Sequence, residues 1–286
     1  LSFFKKYRSI IYLQSLLVCT LIVVSYLGGI LFDIFTKGWT ALNWEFLTGF
    51  PKNGMTEGGI FPAIAGTVFV TMVTALFAVP LGIATAIYLN EYARESPLNR
   101  LIRASIRNLA GVPSIIFGLF GVAIFVQGLG MGTSILASGL TLGLLTLPYI
   151  ITTAEEALKS IPLSLREGAL ALGATKWETI RTVVFPPAVP GIVTGVLLGL
   201  SRAAGETAPI LFTGVAFYLR YLPSSVYEEF MALPYHLYIL STQHHAIEQV
   251  RPLAYGTALV LIALVLLLNI LAMIIRNRFS QTKGYA

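Results

Sequence analysis

Six continuous apolar stretches leave this 286-residue chain few folds to choose from. They run at about 10–32, 60–89, 106–127, 133–154, 188–216 and 253–275, and a bilayer core of about 30 Å takes about 20 apolar residues to cross as a helix. None of the runs alternates, and lipid demands that backbone polar groups be bonded within the segment, so helices are expected rather than barrel strands. Composition agrees: 56% of residues are apolar and 11% charged, less than half the charged share of about 25% usual in soluble domains. The expected fold is all-α, a single integral membrane domain over 1–286 with six transmembrane helices. It has a long inner loop at 154–188 and outer loops at 33–59 and 217–252. The second run exceeds one crossing, which predicts tilt or a kink at Pro80.

Orientation follows from the cations. With the N-terminus inside, fourteen of the nineteen Lys and Arg residues fall on inner segments, among them Lys5, Lys6, Arg8 and Lys283. Four fall outside, Lys37, Lys52, Arg220 and Arg251, while acidic residues divide evenly. This is the positive-inside bias, which places both termini in the cytoplasm. It also accounts for the net charge of +6 without invoking nucleic acid, because the charges are spread over several loops with no basic patch interleaved with aromatics. The basic start resembles a secretory signal, but its apolar stretch is too long and no small-residue cleavage pattern follows, so it is read as a retained first span.

Several chemistries lack a seat. Cys19, the single cysteine, lies in the first span, where a small buried apolar role is expected. His236, His244 and His245 lie in the outer loop, where His244 and Glu248 would share a helix face; a solvated or partner-facing loop is expected rather than a metal site. There is no Gly-rich turn ending in Gly-Lys-Ser/Thr, no nucleophile elbow and no His-Glu-x-x-His helix, and the glycines of GLGMG at 128–132 suit a turn between spans. The chain is therefore not expected to hydrolyse ATP or to hold a cofactor.

The inner loop is amphipathic. Ser164 and Glu167 have capping-box spacing for a helix at about 165–172, with Leu165, Ala169 and Leu172 on one side and Gly173 as a turn. A second helix at about 175–185 sets Trp177, Ile180 and Val184 at helical spacing until Pro186 and Pro187 stop it. Two readings fit these faces: docking on a protein partner, or rest on lipid headgroups.

The fifth run is the one with charges well inside it, Arg202 and Glu206, flanked by Ser201 and Thr207. Entry near 188 puts Arg202 about 20 Å along the helix, near mid-membrane, where a charge faces a water-filled path or a partner. Gly191, Gly195, Gly199 and Ala203 form a small-residue stripe for a neighbouring helix. At about 100° per residue Arg202 lies about 20° and Glu206 about 60° from Gly191, so both are expected to point into the bundle. A guanidinium there suits a tetrahedral oxyanion, which it grips with two parallel hydrogen bonds. Mutual neutralisation of the two charges, locking helix packing, fits equally well. Pro113, Pro148 and Pro209 join Pro80 as kink candidates.

Glu167, Ala169, Gly173, Val183 and Pro186 match the Glu-Ala-Ala, three residues, Gly, nine residues, Ile-x-Leu-Pro motif, with Gly168, Val183 and Phe185 as mild departures. The loop thus resembles that of the permeases of binding-protein-dependent ABC importers, type I in fold. The resemblance implies that Glu167, Gly168, Ala169, Gly173, Lys176, Trp177 and Pro186 belong to coupling helices seated on a separate ATPase, which uses the ATP and Mg. From about residue 55 onward, SRAAGETAPILFTG, NLAGVPSIIFGLFG and ALPYHLYILSTQ look like the PstA family of phosphate permeases. That likeness implies a PstC-like sister permease, two PstB-like ATPase subunits, a PstS-like external binding protein and an inner-membrane location. A PstC-type subunit, or a permease for molybdate or sulfate, is the nearest alternative. A stand-alone secondary transporter should show an internal repeat or several ionisable groups within its spans, and neither is clear here.

Overall fold

The computed structural model describes residues 2–281, with side chains from 12 to 278. The side chains of Lys5, Lys6 and Arg8, and Lys283, which bear on orientation, lie outside the described residues. Helix α1 (Ser2–Trp39) and short α2 (Trp44–Thr48) lead into a two-residue antiparallel hairpin, β1 (Pro51–Lys52) and β2 (Glu57–Gly58). Next come α3 (Phe61–Ile87), which ends in a wide π-type turn at Tyr88–Tyr92, and α4 (Pro97–Leu109). A second wide turn, Val122–Gly128, follows α5 (Ser114–Gly121), and α6 (Ile135–Lys159) leads to α7 (Leu163–Ala171). Helix α8 (Lys176–Thr179) continues through a third wide turn, Ile180–Val184, into α9 (Phe185–Gly205). The chain closes with α10 (Ala208–Thr213), α11 (Leu233–Thr242) and α12 (Ile247–Gln281).

Among the described residues, five helical stretches are long and apolar enough to span a membrane: Tyr12–Trp39, Phe61–Tyr92, Ile135–Lys159, Lys176–Gly205 and Ile247–Arg278. The pair Pro97–Leu109 and Ser114–Gly128, bent by 103°, reaches that length and apolarity only when taken together, and counted as one span it makes six. The third apolar run is therefore not one straight helix over 106–127. Pro113 is the reason: it supplies no N–H and disfavours helical backbone at Val112, while Arg100, Arg103 and Arg107 make α4 two-faced rather than lipid-soluble all round. Pro80 and Pro148, in contrast, lie within unbroken helices.

Small residues set the packing. A Cβ on Gly139, Gly143 or Gly82 would collide with Val73, Phe77 or Ile150, so α3 and α6 run parallel in close contact. Gly191, Gly195 and Gly199 press on Ala157, Thr153 and Thr146, which makes α9 antiparallel to α6. Parallel α3 and α6 require the chain to return between them, and α4 with α5 makes that return. Helix α1 is peripheral and meets α12 through Gly38, which lies against Tyr255 and Leu259. Most of its side chains are open, Cys19 among them, so the cysteine is exposed on the chain's surface and not buried.

The end of the bundle opposite α7 and α8, here the far end, is capped. Phe46, Met55, Ile60, Met231, Leu233, Ile239, Leu240 and Val250 form one core there, built from both segments read as outer loops. The Leu233 amide donates to Thr67 Oγ1 at 2.9 Å, and Tyr218 donates its hydroxyl to the Pro51 carbonyl at 3.0 Å. His236 and His244 are buried in this cap and not solvated, and α12 starts at Ile247, so His244 shares no helix face with Glu248. No group of three or more His, Cys, Asp or Glu side chains suited to a metal occurs among the described residues.

Candidate functional site

The fifth span breaks where its charges lie. Pro209 has no N–H to offer the Gly205 carbonyl, and Gly205 loosens the backbone, so α9 ends there. Glu206 is extended, with φ −74° and ψ 134°, and the chain restarts as α10 with Pro209 in the first turn, where a missing N–H costs nothing. The run read as 188–216 is therefore a helix entered at Lys176 and ended at Gly205. Gly199 meets Thr146 and Tyr149 of α6, so Arg202, one turn on, is level with the middle of that 25-residue helix.

Arg202 Nε lies 3.4 Å from Glu206 Oε1, with the arginine side chain 60% exposed and the glutamate 17%. Glu206 is mostly covered, but Arg202 does not point into this chain's own bundle. Residues four apart advance by about 40° around a helix, so the face pressed on α6 drifts from Gly191 to Ala203, and Arg202 is left at its open edge beside exposed Leu198. Its two terminal nitrogens make no hydrogen bond among the described residues, which leaves the bidentate edge of the guanidinium unengaged. Thr207 follows directly, half-buried at the start of α10. Ser201 is turned away: its Oγ donates to the Leu197 carbonyl at 2.8 Å and lies 3.2 Å from Asn269 Oδ1 on α12.

At the other end, the loop holds two helices with a sharp turn between them, Gly173 at φ +88°. The first starts at Leu163 behind Pro162, two residues earlier than a cap at Ser164 would require, and Ser164 caps nothing. The capping box belongs instead to Thr175 and Glu178. Pro186 and Pro187 do not stop the second helix; the wide turn at Ile180–Val184 resets the hydrogen-bond register so that they fall in the first turn of α9. Ile180 and Val184 are buried, whereas Trp177, Leu165 and Leu172 are exposed together with Glu167, Gly168, Gly173 and Lys176. Ala169 is half-buried, and Pro186 lies back from the surface inside α9.

Sequence reasoning missed what fastens this loop. Arg166 and Glu91 form a pair at 3.1 Å with side chains 14% and 8% exposed, on the wall of a cleft of about 550 Å³ that Glu167 and Lys176 also line. Beside it Arg103 pairs with Glu155, which Lys159 approaches to 2.8 Å. A signal was present: Glu91 and Glu155 close the C-terminal ends of apolar helices, where the helix dipole disfavours anions, so each needs a cation brought from elsewhere.

Residues 78–284 match the family described as the binding-protein-dependent transport system inner membrane component. The chain is 37% identical over 254 residues to the phosphate transport system permease protein PstA 1 of Mycobacterium tuberculosis, covering 86% of this chain and 81% of that one. It is 31% identical over 265 residues to the probable ABC transporter permease protein YqgI of Bacillus subtilis, covering 89% and 90%. Among solved structures, a bacterial ABC transporter involved in the import of alginate aligns over 97% of this chain and 99% of its own, with a TM-score of 0.68 at 16% identity. The inward-facing methionine transporter MetNI aligns over 77% and 97%, with a TM-score of 0.63 at 20% identity. At these identities the structural likeness is one of fold.

Proposed function

The chain belongs to the family of binding-protein-dependent transport system inner membrane components, and from that membership we propose that it is the permease subunit through which inorganic phosphate enters the cell. It is a transport subunit and not an enzyme; ATP hydrolysis belongs to a separate protein. The observation that carries the substrate is the Arg202 guanidinium, level with mid-span, its two-pronged edge unengaged and a single carboxylate on its flank. A permanently charged fork suits phosphate at any physiological pH, and Glu206 keeps the grip loose enough for release. Relatives named as phosphate permeases support the same reading.

In this reading the exposed edge at Arg202 meets a PstC-like sister permease, and the two subunits share the path. The loop at 163–179 seats on one of two PstB-like ATPases, with Glu167, Gly168, Gly173, Lys176 and Trp177 on the contact. A PstS-like binding protein delivers phosphate at the far-end cap, and both termini are cytoplasmic. Closure of the ATPases moves the loop and opens the path outward; hydrolysis returns it inward.

Uptake of labelled phosphate into vesicles, with and without the ATPase and binding protein, tests this. Uptake that requires both supports the reading, and uptake by this chain alone overturns it. Competition by molybdate or sulfate as strong as by unlabelled phosphate would reassign the substrate.

A further inference from the structure

We propose that Glu91 and Arg166 are positioning residues that form the joint through which the α7–α8 loop moves α3, and that α3 delivers this movement to the far-end cap. The inference rests on the importer reading above.

Helix α7 buries none of its residues, so apolar packing does not fix it in place. Arg166 does. Its Nε and Nη2 reach Glu91 Oε1 at 3.3 and 3.1 Å, Nη2 also donates to the Leu158 carbonyl at 2.8 Å, and Nη1 donates to the Ile161 carbonyl. Asn90 Nδ2 donates to the same Glu91 oxygen at 2.7 Å. One guanidinium therefore ties α7 to the last turn of α6 and to the end of α3. The second half of the loop grips the same place, with Lys176 Nζ 5.0 Å from the centre of the Tyr92 ring.

The wide turn at Tyr88–Tyr92 makes this possible. The Ala93 amide bonds the Tyr88 carbonyl, five residues back, so the Leu89 carbonyl is released from the helix pattern and accepts from Arg103 of α4. The end of α3 is thus held by α4, α7 and α8 together. From there Phe61–Tyr92 is one helical stretch, about 48 Å at 1.5 Å per residue. Its other end is built into the cap, where Gly66 lies against the Met231 backbone and Thr67 accepts from the Leu233 amide. A planar guanidinium bonded at once to a carboxylate and to two backbone carbonyls fixes direction as well as distance, so displacement of α7 is passed to the end of α3.

The experiment uses the assembled importer in vesicles and measures phosphate transported per ATP hydrolysed, together with stimulation of hydrolysis by the binding protein. We expect Glu91→Gln to assemble, to hydrolyse ATP with stimulation lost, and to transport at least tenfold less phosphate per ATP. In a Cys19→Ser background, Glu91→Cys with Arg166→Cys should be equally uncoupled when reduced and should recover when a short bifunctional thiol reagent bridges the pair. Because the reduced double variant must be assembled and hydrolysing ATP before the reagent is added, recovery reports restored coupling and not restored folding, and the double variant decides the matter if Glu91→Gln fails to assemble. An unchanged ratio in Glu91→Gln, or no recovery on bridging, overturns the joint. Absence of ATP-driven phosphate uptake by the unmodified complex would instead overturn the importer reading.

Discussion

Arg202→Ala removes the guanidinium but none of the packing that seats α9 on α6, since that contact is made by Gly195, Gly199 and their neighbours. Loss of a two-pronged, charge-assisted contact costs about 2–5 kcal/mol, so phosphate uptake should fall at least about thirtyfold while the complex still purifies intact. Normal uptake would leave Arg202 and Glu206 a packing pair only. That these two residues meet was legible four apart in sequence; that Arg202 lies at an open edge was not, because it depends on a 40° drift that sums over three turns. His236 makes the opposite point. In sequence it is a loop histidine, but the fold buries it with Nδ1 unpartnered, and burial first, then His244, push its pKa from 6.5 to about 4. The neutral ring is the folded form, so its stability contribution is complete above pH 6.5 and is lost as pH falls toward 4, about 3 kcal/mol over the window. His236→Phe should flatten the thermal-unfolding profile between pH 6.5 and 4; an equally acid-sensitive variant would place that loss elsewhere.

At the scale of elements, the loop shows how one proline redirects a pattern. Two strings have capping-box spacing, Ser164 to Glu167 and Thr175 to Glu178, and nothing local to either decides between them. Pro162 does, because it starts α7 at Leu163 and so puts Ser164 inside the first turn, where its side chain caps nothing and Glu167 is left free on the surface. Thr175→Ala should cost about 1 kcal/mol and speed hydrogen exchange at the amides of residues 177–179 about fivefold. If those amides exchange at the unmodified rate, the cap contributes nothing. Glu167→Lys, which touches no packed contact, should leave assembly of the two permeases intact and uncouple ATP hydrolysis from uptake. A coupled Glu167→Lys complex would place the ATPase contact elsewhere on the loop.

For the whole molecule, the apolar runs located the bundle, since each run sums over many residues, and the cation bias gives the proposed sidedness by the same kind of sum. The corrections fall where single residues act against a sum: Pro113 bends the third crossing, and Gly205 with Pro209 cuts the fifth. Single cysteines at 130 and at 168, in a Cys19→Ser background, should react with an impermeant reagent from opposite sides of the membrane, the first from outside. Labelling of both from one side would refute the six-crossing arrangement. The stretch from Lys176 to Gly205, helical through its wide turn at Ile180–Val184, has one more consequence. It puts Lys176, on the proposed ATPase contact, and Arg202 on one helical path, about 39 Å apart along its axis, so a pivot of about 10° at the loop swings the guanidinium by ~7 Å. That is wider than a phosphate ion. With phosphate held at Arg202 as proposed, a small rocking of this helix would carry the charge off the ion entirely, and release would need no change in the charge of either group.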